Sequence, residues 1–174
     1  MPFDQIPAGK AVPTDINVII EISSCSEPTK YEVDKETGML CVDRFIATSM
    51  IYPTNYGYVP STLSGDGDPA DVLVITPNPV QPGSLIRCRP VAMLSMEDES
   101  GEDNKVLALP IAKVCAEYAH MQTLADINHQ LLARIKHFFE HYKDLEQGKW
   151  VKVKDWQDKA AAEKEIIDSV ARYQ

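Results

Sequence analysis

The sequence predicts an α+β fold, a small barrel or rolled sheet followed by helices. Two observations carry this. Short stretches of strand-like alternation, six or seven of them, fill the chain as far as Val114 and are parted by Pro- and Gly-rich turns. Two amphipathic stretches with helical spacing come only after Ile127. The 174 residues are most simply one domain, 1–174, and with 44% hydrophobic residues they can bury a core.

In chain order, residues 17–23 read as the first strand, with Glu21 facing opposite Val18, Ile20 and Ile22. A turn around Pro28 leads to a second strand over 30–34, whose alternation puts Lys30, Glu32 and Asp34 on one face. Lys35 to Gly38 form a hairpin turn, and residues 39–47 return as a third strand carrying Arg44. The run 51–60 holds three tyrosines, two prolines and a glycine. That is a poor helix and reads as extended chain, with Tyr58 packed as an ordinary aromatic. Residues 72–75 form a short buried strand, and 76–84, with three prolines, a loop. A long strand over 85–96 breaks near Pro90, and residues 105–114 return as a strand interrupted at Pro110. Ile127, Leu131, Leu132, Ile135, Phe138, Phe139 and Tyr142 define one helix face, ending near Gly148. A second helix over 158–172 turns Ile166, Ile167, Val170 and Tyr173 inward.

Bulk properties exclude several classes. A net charge of −9 and a pI near 4.9 disfavour a broad nucleic-acid footprint, which needs a basic face. No apolar run approaches a membrane span. The N-terminus, with Pro2, Asp4, Pro7, Lys10, Pro13 and Asp15, has no signal-peptide stretch. The four cysteines form no C-x-x-C pair and read as reduced, mostly buried thiols of a cytosolic protein.

The chemistry centres on Gly65–Ile75, where Asp66, Asp68 and Asp71 fall within six residues before an apolar run. A stiff acidic turn feeding a buried strand holds hard oxygen ligands still, as Mg²⁺, Mn²⁺ or Ca²⁺ require. A solvated Asp/Gly/Pro turn is the plainer reading. An EF-hand is excluded, because Asp71 stands where its glycine belongs and Pro77 where its last glutamate belongs. A second acidic run, 97–104, contains Asp98 and Asp103 and is otherwise a hairpin tip. Were these carboxylates and Glu21 and Glu32 to share a pocket, mutual repulsion would demand two or more divalent ions. Lys30, Arg44, Lys105 and Lys143, with Tyr52, Tyr56 and Tyr142, add donors for an oxyanion. Together they suit metal-dependent phosphoryl transfer.

A competing pattern is His137-Phe138-Phe139-Glu140-His141, which matches the H-x-x-E-H zinc-protease motif. Its histidines lie roughly 120° from the centre of the apolar stripe. No third ligand stands out, so solvent or a subunit interface is the better place for them. A non-catalytic barrel with solvated acidic loops is the remaining alternative.

The segment Asp66-Gly67-Asp68-Pro69-Ala70-Asp71-Val72 resembles the D-G-D-P-x-D-V signature of the family I soluble inorganic pyrophosphatases, of the bacterial kind. Ala70 stands where that family usually has a larger aliphatic. The resemblance extends to Tyr31-Glu32, Asp43-Arg44, residues 52–58, 101–103 and 138–145. It implies a small OB-like five-stranded β-barrel with helices packed outside. It also implies Mg²⁺-dependent hydrolysis of pyrophosphate to two orthophosphates, several Mg²⁺ per site, and Mn²⁺ or Zn²⁺ as substitutes. By the resemblance Asp66, Asp71 and Asp103 hold the first metal, and Asp71 is shared with a second. Asp98 with Asp103, and Glu32, hold further ions, while Glu21 and Glu99 support them. Asp68 is the general base. Lys30, Arg44, Tyr56, Lys105, Tyr142 and Lys143 bind phosphate, with Tyr52 close by. A homohexamer is implied as well, and the cysteine reading above makes it cytoplasmic.

Overall fold

The computed structural model describes residues 5–174; Pro2 and Asp4, used in reading the N-terminus, lie outside them. The strands are β1 (Gly9–Ala11), β2 (Asp15–Ile22), β3 (Thr29–Val33), β4 (Leu40–Phe45), β5 (Asn55–Tyr58), β6 (Asp71–Val74), β7 (Leu85–Asp98), β8 (Gly101–Glu102), β9 (Lys105–Pro110) and β10 (Val151–Gln157). The helices are α1 (His129–His141) and α2 (Lys159–Tyr173).

β2, β5, β6, β9 and β7 pair in that order, and β7 pairs back onto β2, so five strands close a ring. Only β6 and β9 run parallel within it. β1 and β10 extend the sheet beyond the ring, while β3 and β4 form a separate hairpin. With two helices against this mixed sheet, the fold is OB-like α+β, as the sequence predicts.

Both faces of the ring strands are buried, which explains their near-continuous apolar runs. Leu73, Leu107 and Leu109 join a core with Ile135, Phe138 and Phe139 of α1. Their neighbours Val72, Val74, Val106 and Ala108 join a second core with Ala162 and Ile166 of α2. Glu21 is therefore buried along with the whole of Ile16–Ile22. β7 shifts register between Pro90 and Ala92, where proline lacks a donor for the ladder.

The helices depart from expectation at their ends. Asn128 caps α1, its side chain accepting from the amides of Gln130 and Leu131. α1 stops at His141 rather than near Gly148, because turns from Asp144 to His141 and from Glu146 to Lys143 replace the helical ladder. In α2 the buried stripe is Ala162, Ile166 and Ser169. Ile167 is 50% exposed, one helical step off that stripe, so its inward assignment is corrected. Tyr173 is 47% exposed and leans toward the cavity described below instead of the core.

β1 and β10 are absent from the sequence reading. In β10 the valines Val151 and Val153 alternate with lysines, a signal for a half-exposed strand masked by its polarity. All four cysteines are free, but Cys25 and Cys41 are exposed and Cys115 half-buried, so only Cys88 fits the expectation of burial. Cys41 lies in the β3–β4 hairpin, a two-stranded sheet separate from the ring. Among the described residues no helix is long and apolar enough to cross a membrane.

Candidate active site

The acidic stretch forms a closed turn. The amide of Ser64 donates to the Asp68 carbonyl at 2.6 Å, and that of Gly67 donates to the Ser64 carbonyl at 3.1 Å. Gly67 adopts φ +91°, a conformation that suits glycine. The Asp66 carboxylate accepts the Asp68 amide at 3.0 Å, an Asx turn inside the loop. Behind it, Thr62 donates to the Val59 carbonyl and accepts the Ala70 amide at 2.9 Å. The chain then enters β6 at Asp71. Parallel pairing sets Asp71 opposite Lys105 of β9.

The second acidic run is the β7–β8 hairpin. Asp98 accepts the Ser100 amide at 2.8 Å, and the Asp103 amide donates to Met96 at 3.0 Å. From the β3–β4 hairpin come Lys30 and Arg44, paired across the strands, and Glu32. β2 supplies Glu21, whose carboxylate accepts the Val33 amide at 2.7 Å. β5 supplies Tyr56, and the turn that follows α1 supplies Tyr142 and Lys143.

These side chains line one cavity of about 360 Å³. Asp66, Asp68, Asp71, Asp98, Asp103, Glu21, Glu32, Lys30, Arg44, Lys105, Lys143, Tyr56 and Tyr142 all face it, and Tyr52 does too. Glu99 does not; it pairs with Lys149 at 2.7 Å and Lys143 at 3.7 Å. His137 and His141 also stay outside. Their exposed rings lie 4.6 Å apart, and His141 bonds Asp144 at 2.8 Å.

Several residues at the cavity escaped the sequence reading. Lys35 reaches the Asp68 carboxylate at 2.9 Å from the hairpin turn. Tyr58 and Tyr173 line the cavity as well. Nothing local marks Lys35 or Tyr173, whereas Tyr58 follows Tyr56 at the two-residue spacing that puts both on one strand face.

Ammonium groups stand between the carboxylates. Lys105 bonds Asp71 and Asp103, each at 2.5 Å, and the Tyr56 hydroxyl at 3.2 Å. Lys143 bonds Asp98 at 2.8 Å, and Lys30 pairs with Glu32 and Asp43. Burial pulls the Lys105 pKa down, but Asp71 and Asp103 outweigh it and hold the ammonium charged. Burial pushes Glu21 up to about 8 and also raises Asp66. Burial raises the phenols of Tyr52, Tyr56 and Tyr142, which therefore stay neutral donors.

Among the described residues no three acidic, imidazole or thiol groups are already gathered as a cation site. The donor set nevertheless fits a hard divalent cation. The carboxylates are crowded, all-oxygen and partly desolvated, and lysines supply positive charge where they meet. The arrangement can bind an anion through lysine, arginine and tyrosine donors and cations through the carboxylates interleaved with them.

Residues 18–174 match the family described as inorganic pyrophosphatase. The chain is 60% identical over 172 residues to an inorganic pyrophosphatase of Yersinia pestis, covering 99% of this chain and 98% of that one. Its structure is similar to that of an inorganic pyrophosphatase from Coxiella burnetii, with a TM-score of 0.94 and 58% identity over 97% of this chain and 100% of that one. An inorganic pyrophosphatase from Thermus thermophilus gives a TM-score of 0.94 at 39% identity, over 99% of each chain.

Proposed function

The chain belongs to the inorganic pyrophosphatase family, and on that premise we propose that it splits pyrophosphate into two orthophosphates in this cavity, with Mg²⁺ as its metal and Asp68 as general base. The observation that carries the reading is the convergence of carboxylates and phosphate-binding donors from distant parts of the chain on one cavity.

The family implies a divalent metal cofactor. Asp66, Asp71 and Asp103 would hold the first ion, with Asp71 shared with a second. Asp98 with Asp103, and Glu32, would take others, and Glu21 would support them. Mn²⁺ or Zn²⁺ would substitute. When bound, such ions screen phosphate charge and acidify a coordinated water.

The chain's own groups do the rest. Asp68, exposed at the cavity rim, takes the proton of the attacking water. Lys35 beside it keeps that carboxylate in place. Lys30, Arg44 and Lys143 grip the phosphate oxygens by charge, and the neutral phenols of Tyr56 and Tyr142 donate hydrogen bonds to them. Lys105 holds Asp71 and Asp103 apart from each other's charge and completes the anion site. The positive groups stabilise the departing phosphate. In the same reading the chain is one domain over 1–174 and works as a cytoplasmic homohexamer.

The test is phosphate release from pyrophosphate by the purified chain and by Asp68→Asn. Release should need Mg²⁺ and stop with EDTA, and the variant should lose roughly 10²- to 10⁴-fold in kcat with an unchanged Tm. A fully active Asp68→Asn would remove Asp68 as the base. Absence of release from the folded protein with Mg²⁺ would remove the function.

A further inference from the structure

The last turns of α2 grip the acidic loop from behind. The amide of Leu63 donates to the Ser169 carbonyl at 2.9 Å. The Ser64 hydroxyl donates to a Glu165 carboxylate oxygen at 3.2 Å, and the Ser169 hydroxyl donates to the same oxygen at 3.1 Å. Arg172 bonds the Leu63 carbonyl at 3.4 Å and lies 3.7 Å from Glu165. Ser169 is fully buried, and Glu165 is partly buried. Glu165, Ser169 and Arg172 do not line the main cavity. Glu165 and Arg172 do share a small crevice with Asp66, Asp71 and Asp103 on the far side of the loop.

Ser64 is the hinge of this contact. Its amide and carbonyl close the turn around Asp68 and Gly67, and Asp66 folds back within that turn. Gly65 and Gly67 flank Asp66 with open space where a side chain would be. A glycine-rich segment of this kind has high backbone entropy to lose on ordering. Beside the bonds within the turn, the hydrogen bonds from α2, about a hundred residues away in the chain, restrain it further.

We propose that Glu165 is a positioning residue for the acidic loop: by holding Ser64 it fixes the turn that presents Asp66 and Asp68 to the cavity. The inference rests on the reading of Asp66 as a cation ligand. Partners that orient ligands in this way typically alter metal affinity by about 10- to 100-fold when removed.

The experiment compares wild type, Glu165→Ala, Glu165→Gln, Ser64→Ala and Ile166→Val. Amide hydrogen exchange over residues 63–68 is read without metal, Mn²⁺ binding by calorimetry, and turnover against Mg²⁺ and pyrophosphate. Glu165→Ala should speed exchange at Ser64 and Gly67 and weaken Mn²⁺ by about tenfold. Its KM for pyrophosphate at saturating Mg²⁺ should stay at the wild-type value. Glu165→Gln keeps the acceptor oxygen and should restore both properties. Ser64→Ala removes the contact from the loop side and should copy Glu165→Ala, which keeps the idea testable should that variant fold poorly. Ile166→Val thins the packing of the same helix and should lower Tm without touching loop exchange or Mn²⁺ affinity. Wild-type exchange and Mn²⁺ affinity in both Glu165→Ala and Ser64→Ala would overturn the proposal. So would an equal loosening of the loop in Ile166→Val. Loosening of the loop in a protein that never hydrolyses pyrophosphate would leave the clamp standing and the functional reading fallen.

Discussion

Glu21 is only 6% exposed, and its carboxylate accepts one backbone amide, that of Val33. Burial pushes its pKa from the ordinary 4.5 up to about 8, with the Val33 bond opposing and the charges of Asp71 and Glu32 adding. Between those two pH values the folded chain holds a proton there that the unfolded chain has released. Stability from this group is therefore present below about 4.5 and is lost as pH rises through about 8. Glu21→Gln should be as stable as wild type near pH 5 in EDTA. Above pH 8 it should melt higher by on the order of 10 °C, by calorimetry. Equal melting temperatures at both pH values would mean that the carboxylate is not strained by burial. At this scale residue types were readable in advance, and environments were not. Lys35 is one more turn lysine in the sequence, and only the fold brings it to Asp68.

The elements hold the site through close approach as much as through side-chain chemistry. On β5, Gly57 lies between the two cavity tyrosines and is paired with Ile20 of β2. A Cβ at Gly57 would meet the Ile19 carbonyl oxygen at 1.9 Å, which only a backbone shift could relieve. Gly57→Ala should cost about 3 kcal/mol in urea unfolding and raise KM for pyrophosphate, because Tyr56 moves with the strand. A variant of wild-type stability would show that β2 and β5 can separate freely. Alternation made most strands legible, and it failed where a strand was short or solvent-facing, as in β1 and β10. Helix starts followed their caps, Asn128 and Asp158, whereas the end of α1 depended on turns that no stripe predicts.

Across the whole molecule, apolar side chains remain on the outside of this single chain. Phe45 is 76% exposed, and Met39, Val42, Leu145 and Trp150 are also exposed. Such surface suits burial against another subunit, which the homohexamer proposed above would supply. Sedimentation should give about six times the 19.4 kDa chain mass. A species of one chain mass at micromolar concentration would refute it. The sequence by itself determined the fold class, the acidic turn and the supply of oxygen, lysine and tyrosine donors. Each of these depends on residues a few positions apart, through alternation, turn geometry and side-chain chemistry. Only the tertiary structure decided which donors meet. Closing β7 onto β2 makes the ring, and the parallel register of β6 and β9 sets Asp71 against Lys105. The hydrogen bonds of α2 hold the acidic loop from a distant part of the chain. Register, ring closure and helix docking are long-range packing solutions, and no short window of sequence carries their signature.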